Sequence, residues 1–399
     1  MARRKKDTET ETEKNIVTSD KDLDKAFKVI DDMNEDATML SETPLSDVND
    51  WISTGCYALN AIISGNCYKG IPSGRVTGFY GLQACGKTLL LNTIVANAQK
   101  KGYSRTVYFD SETALDKMCA ERLGCDITQI KHAPVELIED CRNQVIALLT
   151  KLIEMGAKRK VVIVIDSLGN LSTRKELTDA QNNHDAADMG LRAKTLSSMM
   201  RLITYRAAKI EAPVLFSNHI YENPSALYPT LIKKQAGGLK PLFIASVLVQ
   251  LSVSNNKAAD DKNGEASRMS DKITGVNLTA LTAKNRFVPP FISASDIELN
   301  FRTGLNKYSG LLDLAVKYDI IRQTGSVYQT DQGTSLGYGA TFKNNPEFWE
   351  NGVLEKLNKA IESDLTYSNS KYEELKKEIE ATEELEKIAT EEELEKLDK

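Results

Sequence analysis

"GLQACGKT", residues 81–88, sets two glycines around four variable positions and follows them with a lysine and a threonine. That spacing belongs to loops whose backbone N–H groups turn inward around phosphate. The flanks support the reading. "RVTGFY" (75–80) has the apolar, β-branched character of a strand, and the stretch from Lys87 to about Lys101 reads as a helix. A phosphate at such a helix start meets unpaired N–H groups and the positive end of the helix dipole. Gly81, Leu82, Gln83, Ala84, Cys85 and Gly86 then form the cradle of a nucleoside triphosphate. Lys87 is placed for the β- and γ-phosphates, and the Thr88 hydroxyl is placed to ligate Mg²⁺.

Outward from this loop the text alternates. "RTVYFD" (105–110) is a second strand, with helices near 114–123 and 135–155. "KVVIVID" (160–166) is a β-branched run ending in aspartate, the pattern of a buried parallel strand. A long helix over 189–210 and the strand "PVLFSN" (213–218) follow. The alternation predicts an α/β fold with a mainly parallel sheet covered on both faces. "FIASVLVQLSV" (243–253), "GVNLTALTA" (275–283) and "DIELNF" (296–301) have no helices between them, which predicts an antiparallel extension of that sheet. The polar stretch 255–272 reads as a flexible insertion.

The ends differ in character. Residues 1–20 are charged and polar, a disordered tail by composition. In "KDLDKAFKVIDDM" (21–33), Leu23, Phe27, Ile30 and Met33 recur at helical spacing. Such a face either caps its own domain or docks on a neighbouring subunit. A linker to residue 50, a core over 51–303, a small C-terminal α+β domain over 304–366 and an acidic tail over 367–399 complete the expected organisation.

Composition narrows the chemistry. Among 399 residues, 56 acidic side chains exceed 51 basic ones, for a formal net charge of -5. A nucleic-acid partner would therefore have to be held by local basic patches. The six cysteines form no C-x-x-C pair, and with three histidines no zinc spacing appears. No apolar run reaches a membrane span, and "MARRKK" has no apolar segment behind it, so no secretory signal is expected.

Two carboxylates suit a nucleotide site. Asp166, at the end of the most apolar strand, is placed to support the Mg²⁺ shell. Glu112, just past "VYFD", is placed to activate water as a general base. Two long polar loops, 169–190 and 220–238, are unusual for a simple nucleotide kinase. Lys194 and Arg201, seven residues apart on the following helix, share a face. Mobile loops beside such cations suit single-stranded nucleic acid.

The blocks "WISTGCYALNAIISG", "GIPSGRVTGFYGLQACGKT", "VYFDSETALD", "VIVIDSLGNL", "DMGLRAKTLSSMMRL", "LFSNH" and "GGLKPLFIASV" resemble, in order and spacing, the core of the RecA recombinase family. The likeness runs from about Lys21 to Asp364. "DSLGNL" and the histidine of "NHIYE" resemble the UvsX branch, the strand-exchange recombinases of tailed phages, with bacterial RecA second. The resemblance implies a RecA-like P-loop ATPase core using ATP and Mg²⁺. It implies that Asp116 contacts adenine, while Cys119 stands where the family stacks a tyrosine on the base. It implies that His219 senses the γ-phosphate, and that Lys284 and Arg286 reach the ATP of an adjacent subunit. The 21–33 helix would then be the polymerising element.

The same resemblance implies that residues 170–190 and 220–238 face DNA, with Met189, Gly190, Lys194, Ser197, Arg201, Gly237 and Gly238 near the primary strand. The family's cations for a second DNA site are replaced here by Leu248, Ser252, Thr279 and Leu281. Lys257, Lys262, Arg268 and Lys272 are expected to supply part of that role. The expected function is a DNA-dependent ATPase that forms helical filaments of like subunits on single-stranded DNA. It pairs that strand with homologous double-stranded DNA in recombination, repair and recombination-dependent replication. Expected partners are a recombination mediator and a single-strand-binding protein, with no membrane. The expected location is the cytoplasm, that of the bacterial host if the source is a phage. A DNA-coating ATPase without strand exchange and a hexameric P-loop DNA motor are the alternatives.

Overall fold

The computed structural model describes residues 20–43, 45–182, 189–220, 244–258 and 273–365. The chain divides into two units, 1–47 and 48–399. In the first, α1 (Asp20–Met33) is the predicted amphipathic helix. Leu23, Phe27, Ile30 and Met33 are all exposed, so this unit does not bury its own apolar face.

The second unit opens with a short antiparallel pair, β1 (Trp51–Ile52) and β2 (Ile71–Pro72), on either side of α2 (Tyr57–Ser64). The chain continues through β3 (Val76–Gly81), α3 (Lys87–Lys101), β4 (Arg105–Asp110), α4 (Lys117–Arg122), β5 (Ile130–Pro134), α5 (Ile138–Glu154) and β6 (Val161–Asp166). After α6 (Arg174–Gln181), α7 (Met189–Lys209) and β7 (Val214–His219) come β8 (Val247–Ala258), β9 (Ile273–Asn285), β10 (Ser293–Asn300) and β11 (Gly304–Leu305). β3 to β11 form one nine-stranded sheet in the order β11-β10-β9-β8-β3-β7-β6-β4-β5.

The central strands are apolar on both sides because both sides are covered. In β6, Val162 and Val164 join the core that α2 and α3 complete, while Val161, Ile163 and Ile165 face α5 and α7. Period-two alternation places neighbours on opposite faces, so a run of five apolar positions marks a strand buried twice. α3 ends at Lys100 and Lys101 with Gly102 in the left-handed region, its N–H bonding the carbonyls of Ala98 and Gln99.

Three expectations change. β8 pairs with β3 in parallel, while β9 and β10 run antiparallel as predicted. Parallel pairing needs a crossover of a dozen or more residues. The connection between His219 and Val247 is long enough to provide one. The insertion is also shorter than it reads: Lys257 pairs with Gly275 and Ala258 with Ile273, so the β8–β9 ladder runs into it. Finally, the 170–190 segment contains α6. Its start is a capping box, in which Thr173 accepts from the N–H of Glu176 and Glu176 accepts from the N–H of Thr173.

Residues 304–365 carry a three-stranded sheet, β12 (Ile321–Thr324), β13 (Val327–Thr330) and β14 (Ser335–Tyr338). Trp349, Leu354, Leu357 and Ile361 belong to the same apolar cluster as Ile62, Ile63 and Leu59 of α2. None of the described helices is long and apolar enough to cross a membrane.

Candidate active site

Ligands of open parallel sheets sit beyond the carboxyl ends of the strands. Here four adjacent strands, β3, β7, β6 and β4, deliver the phosphate loop, His219, Asp166 and Glu112 to one edge. The loop turns through Ala84 and Gly86, both at positive φ. Gly86 (φ 76°) caps α3, and a Cβ there would lie 2.1 Å from a methyl carbon of Leu299. Gly86→Ala should cost about 2–4 kcal/mol, combining left-handed strain with overpacking. A lower melting temperature together with lost binding of a fluorescent ATP analogue would register it.

Lys87 is nearly buried, and its ammonium donates to the Gly81 and Leu82 carbonyls at 3.2 and 2.8 Å. A triphosphate in the loop offers that ammonium stronger, charged acceptors. Thr88 Oγ1 donates to Asp166 Oδ2 at 2.8 Å. Tyr108 donates its phenol to the same oxygen at 2.8 Å, and Ser217 donates to Oδ1. Burial first, then the carboxylate of Asp166, hold the Tyr108 phenol well above its usual range, so it stays a donor.

A cavity of about 180 Å³ is lined by Gln83, Ala84, Gly86, Lys87, Thr88, Leu89, Glu112, Asp166 and His219. Among the described residues no group of three His, Cys, Asp or Glu side chains could hold a metal alone. The Thr88 hydroxyl and Asp166 carboxylate are hard oxygen donors, which suits Mg²⁺ completed by phosphate and water. A larger cavity, about 580 Å³, lies between Asp296, Asp313 and the β12–β14 sheet. Its two carboxylates are already engaged, Asp296 by Lys343 at 2.6 Å and Asp313 by Ser295.

Glu112 follows β4, with Oε1 2.8 Å from His219 Nε2. His219 pairs opposite Gly81 in the β3–β7 ladder, so base candidate, sensor candidate and loop converge. Asp116 stands further along, capping α4 by accepting the Met118 N–H at 2.9 Å; its side chain is exposed, and Cys119 is half-buried beside it.

The other cations lie elsewhere. Lys284 pairs with Leu248, whose β3 neighbour is Gly78, whereas Gly81 is level with Leu251. This puts Lys284 roughly 10 Å back along the strands and roughly 10 Å across them from the loop's start. Exposed Arg286 follows the last residue of β9, two positions on from Lys284. Neither side chain spans that gap, so the pair does not serve its own phosphate loop.

Met189 and Gly190 begin α7, and Lys194 and Arg201 are exposed on it. Ser197, on the same helix, is largely buried, and its hydroxyl donates to the Ala193 carbonyl at 2.8 Å. Gly237, Gly238, Lys262, Arg268 and Lys272 lie outside the described residues. Sequence reasoning missed Tyr108 and Ser217 on Asp166, and the Asp110–His132 pair behind Glu112. The inward tyrosine of "VYFD" was the one available signal.

A phosphate loop, a strand-end carboxylate and a base candidate on neighbouring strand ends define a P-loop nucleoside triphosphatase with a RecA-like core. The chain belongs to the RecA family: the model of the RecA N-terminal domain matches residues 21–306. Protein RecA of a Thermus thermophilus strain is 30% identical over 351 residues, 86% of this chain and 96% of that protein. Protein RecA of Nitratiruptor sp. is 32% identical over 301 residues, covering 74% and 80%. That of Desulforapulum autotrophicum is 29% identical over 360 residues, covering 88% and 93%. RecA-family proteins are DNA-dependent ATPases.

Proposed function

We propose that this protein is an ATP-dependent DNA recombinase. It assembles into helical filaments on single-stranded DNA and catalyses homologous pairing and strand exchange. The observation that carries the reading is the separation, along the sheet, of two groups of residues that one ATP site would need. The loop, Asp166, Glu112 and His219 occupy one edge, and Lys284 and Arg286 stand too far back to reach it. A head-to-tail contact brings the second group of one subunit to the first group of the next, and repetition of that contact makes a filament. The exposure of Leu23, Phe27, Ile30 and Met33 on α1 supports its role as the polymerising element.

In this reading Gly81 to Thr88 hold the phosphates, Thr88 and Asp166 hold Mg²⁺, and Asp116 contacts adenine. ATP supplies the phosphoanhydride whose cleavage releases the assembled state. Glu112 takes the proton of the attacking water, and His219 reports the γ-phosphate to the segment that follows β7. Lys194 and Arg201, with Met189, Gly190, Gly237 and Gly238, line the primary DNA path. Lys257, Lys262, Arg268 and Lys272 serve duplex capture. "DSLGNL" and His219 favour the phage UvsX branch, with a role in replication through recombination, a bacterial host cytoplasm, and mediator and single-strand-binding partners.

The deciding experiment is strand exchange with homologous and heterologous duplex, run beside ATP turnover with and without single-stranded DNA. Exchange confined to homologous duplex supports the reading. Turnover without exchange favours a coating ATPase, and unwinding of a forked duplex favours a ring motor.

The seam also has a pH signature. Burial first, then the neighbouring Arg286 charge, pull Lys284 down to about 8 in the folded subunit. Contact with phosphate requires the ammonium, so assembly with ATP takes up protons as pH rises through that value. The ATP concentration needed for assembly should therefore increase severalfold between about pH 7.5 and about pH 9. Light scattering measures it, and Lys284→Arg should flatten the dependence.

A further inference from the structure

Asp110, the last residue of β4, is 3% exposed, and its carboxylate is fully engaged. Oδ1 accepts the backbone N–H of Glu112 at 3.0 Å and that of Ala114 at 3.4 Å. Oδ2 accepts the N–H of Leu115 at 3.2 Å and Nε2 of His132 at 3.1 Å. A carboxylate only accepts, so the imidazole presents Nε2–H. Burial alone would raise the Asp110 pKa, but His132 and the three amides outweigh it and hold the group below its usual range, as an anion.

The three amides belong to the segment that carries Glu112. Its ends are pinned without Asp110. At one end Ser111 donates its N–H to the Asp166 carbonyl at 2.9 Å, and its hydroxyl donates to the Ser167 carbonyl at 2.8 Å. At the other, Asp116 caps α4. What Asp110 decides is the path between those ends, which includes Thr113 at positive φ and therefore where Glu112 points. His132 stands on the edge strand β5, opposite Tyr108 in the ladder. Neither Asp110 nor His132 lines the phosphate cavity, so both act through the segment.

We propose that Asp110 is the positioning residue that aims Glu112 for ATP turnover, and that His132, reaching in from the sheet edge, holds the Asp110 carboxylate in that arrangement. The proposal rests on Glu112 acting as the general base.

The test is steady-state ATP turnover by the full chain on single-stranded DNA, with kcat expressed per nucleotide-binding site counted by titration. Asp110→Asn sets an amide N–H against another N–H at Oδ2. A base displaced by about 1 Å can lose on the order of 100-fold in rate. The expected result is a kcat lower by about 10–100-fold with KM for ATP within about twofold, because the phosphate loop is untouched. His132→Ala should lower kcat by roughly 2–10-fold, and His132→Gln, whose amide N–H reaches the position of Nε2, should recover most of it. A merely structural role would reduce the number of competent sites and leave kcat per site unchanged.

Asp110→Asn turning over at the parent rate per site would overturn the proposal, as would His132→Gln performing no better than His132→Ala. If Asp110→Asn fails to fold, the two His132 variants carry the test. Glu112→Gln separates the levels. If it turns over normally, the assignment of the base fails and this inference with it. If it is inactive while Asp110→Asn is not, only the positioning role fails.

Discussion

Replacing Lys284 and Arg286 together with alanine should lower DNA-stimulated ATP turnover by about 10³–10⁵-fold, the range for a cation supplied across an interface. At 1.36 kcal/mol per tenfold this is about 4–7 kcal/mol of transition-state stabilisation. The geometry makes a sharper demand than loss alone. Leu248 and Gly78 lie beside Lys284 in the ladder, while the phosphate loop leaves the sheet from the row of Leu251. The double variant therefore keeps a complete phosphate loop and base. A Glu112→Gln subunit keeps both cations. Mixing the two inactive proteins should restore turnover at seams where the first offers its loop to the second's cations. Random mixing of a head-to-tail interface makes that about a quarter of seams. Recovery by mixing is the expected result, measured as phosphate release against subunit ratio. Absence of recovery, with both variants shown to co-assemble, would mean that the cations do not act across a seam.

Glu112→Gln alone should reduce kcat by about 10²–10⁴-fold while ATP binding stays near the parent value. The amide fills the same space and can still meet His219, now 2.8 Å from the carboxylate, but it cannot take a proton from water. The loop, Lys87 and the Thr88–Asp166 pair are untouched, so nucleotide should still bind. Such a subunit holds ATP without discharging it, and its assemblies on single-stranded DNA should dissociate more slowly. Single-turnover phosphate release and DNA off-rates measure the two effects, and weakened ATP binding at normal turnover would contradict them.

Much of this was legible from local spacing. The loop needs eight consecutive residues, and β3 and α3 need the patterns on either side. Asp166 declared itself by ending a strand too apolar for anything but the sheet centre. The α6 capping box was equally local, four residues from Thr173 to Glu176, and went unread because the surrounding polarity suggested a loop. β5 was missed for a different reason. An edge strand is covered on fewer sides, so "IKHAP" carries little of the apolar signature that marks β6.

The one-dimensional text thus determined the candidates for the chemistry, a phosphate loop, a strand-end aspartate and a glutamate proposed as base, and the alternation that builds a parallel sheet. Each depends on residues a few positions apart, whose mutual geometry the backbone dictates. The three-dimensional fold alone decided which groups serve which. It placed Tyr108 and Ser217 on Asp166 and His132 on Asp110, turned β8 parallel to β3, and set Lys284 back from its own loop. Those relations join residues tens of positions apart through strand order and register, and no local propensity encodes either.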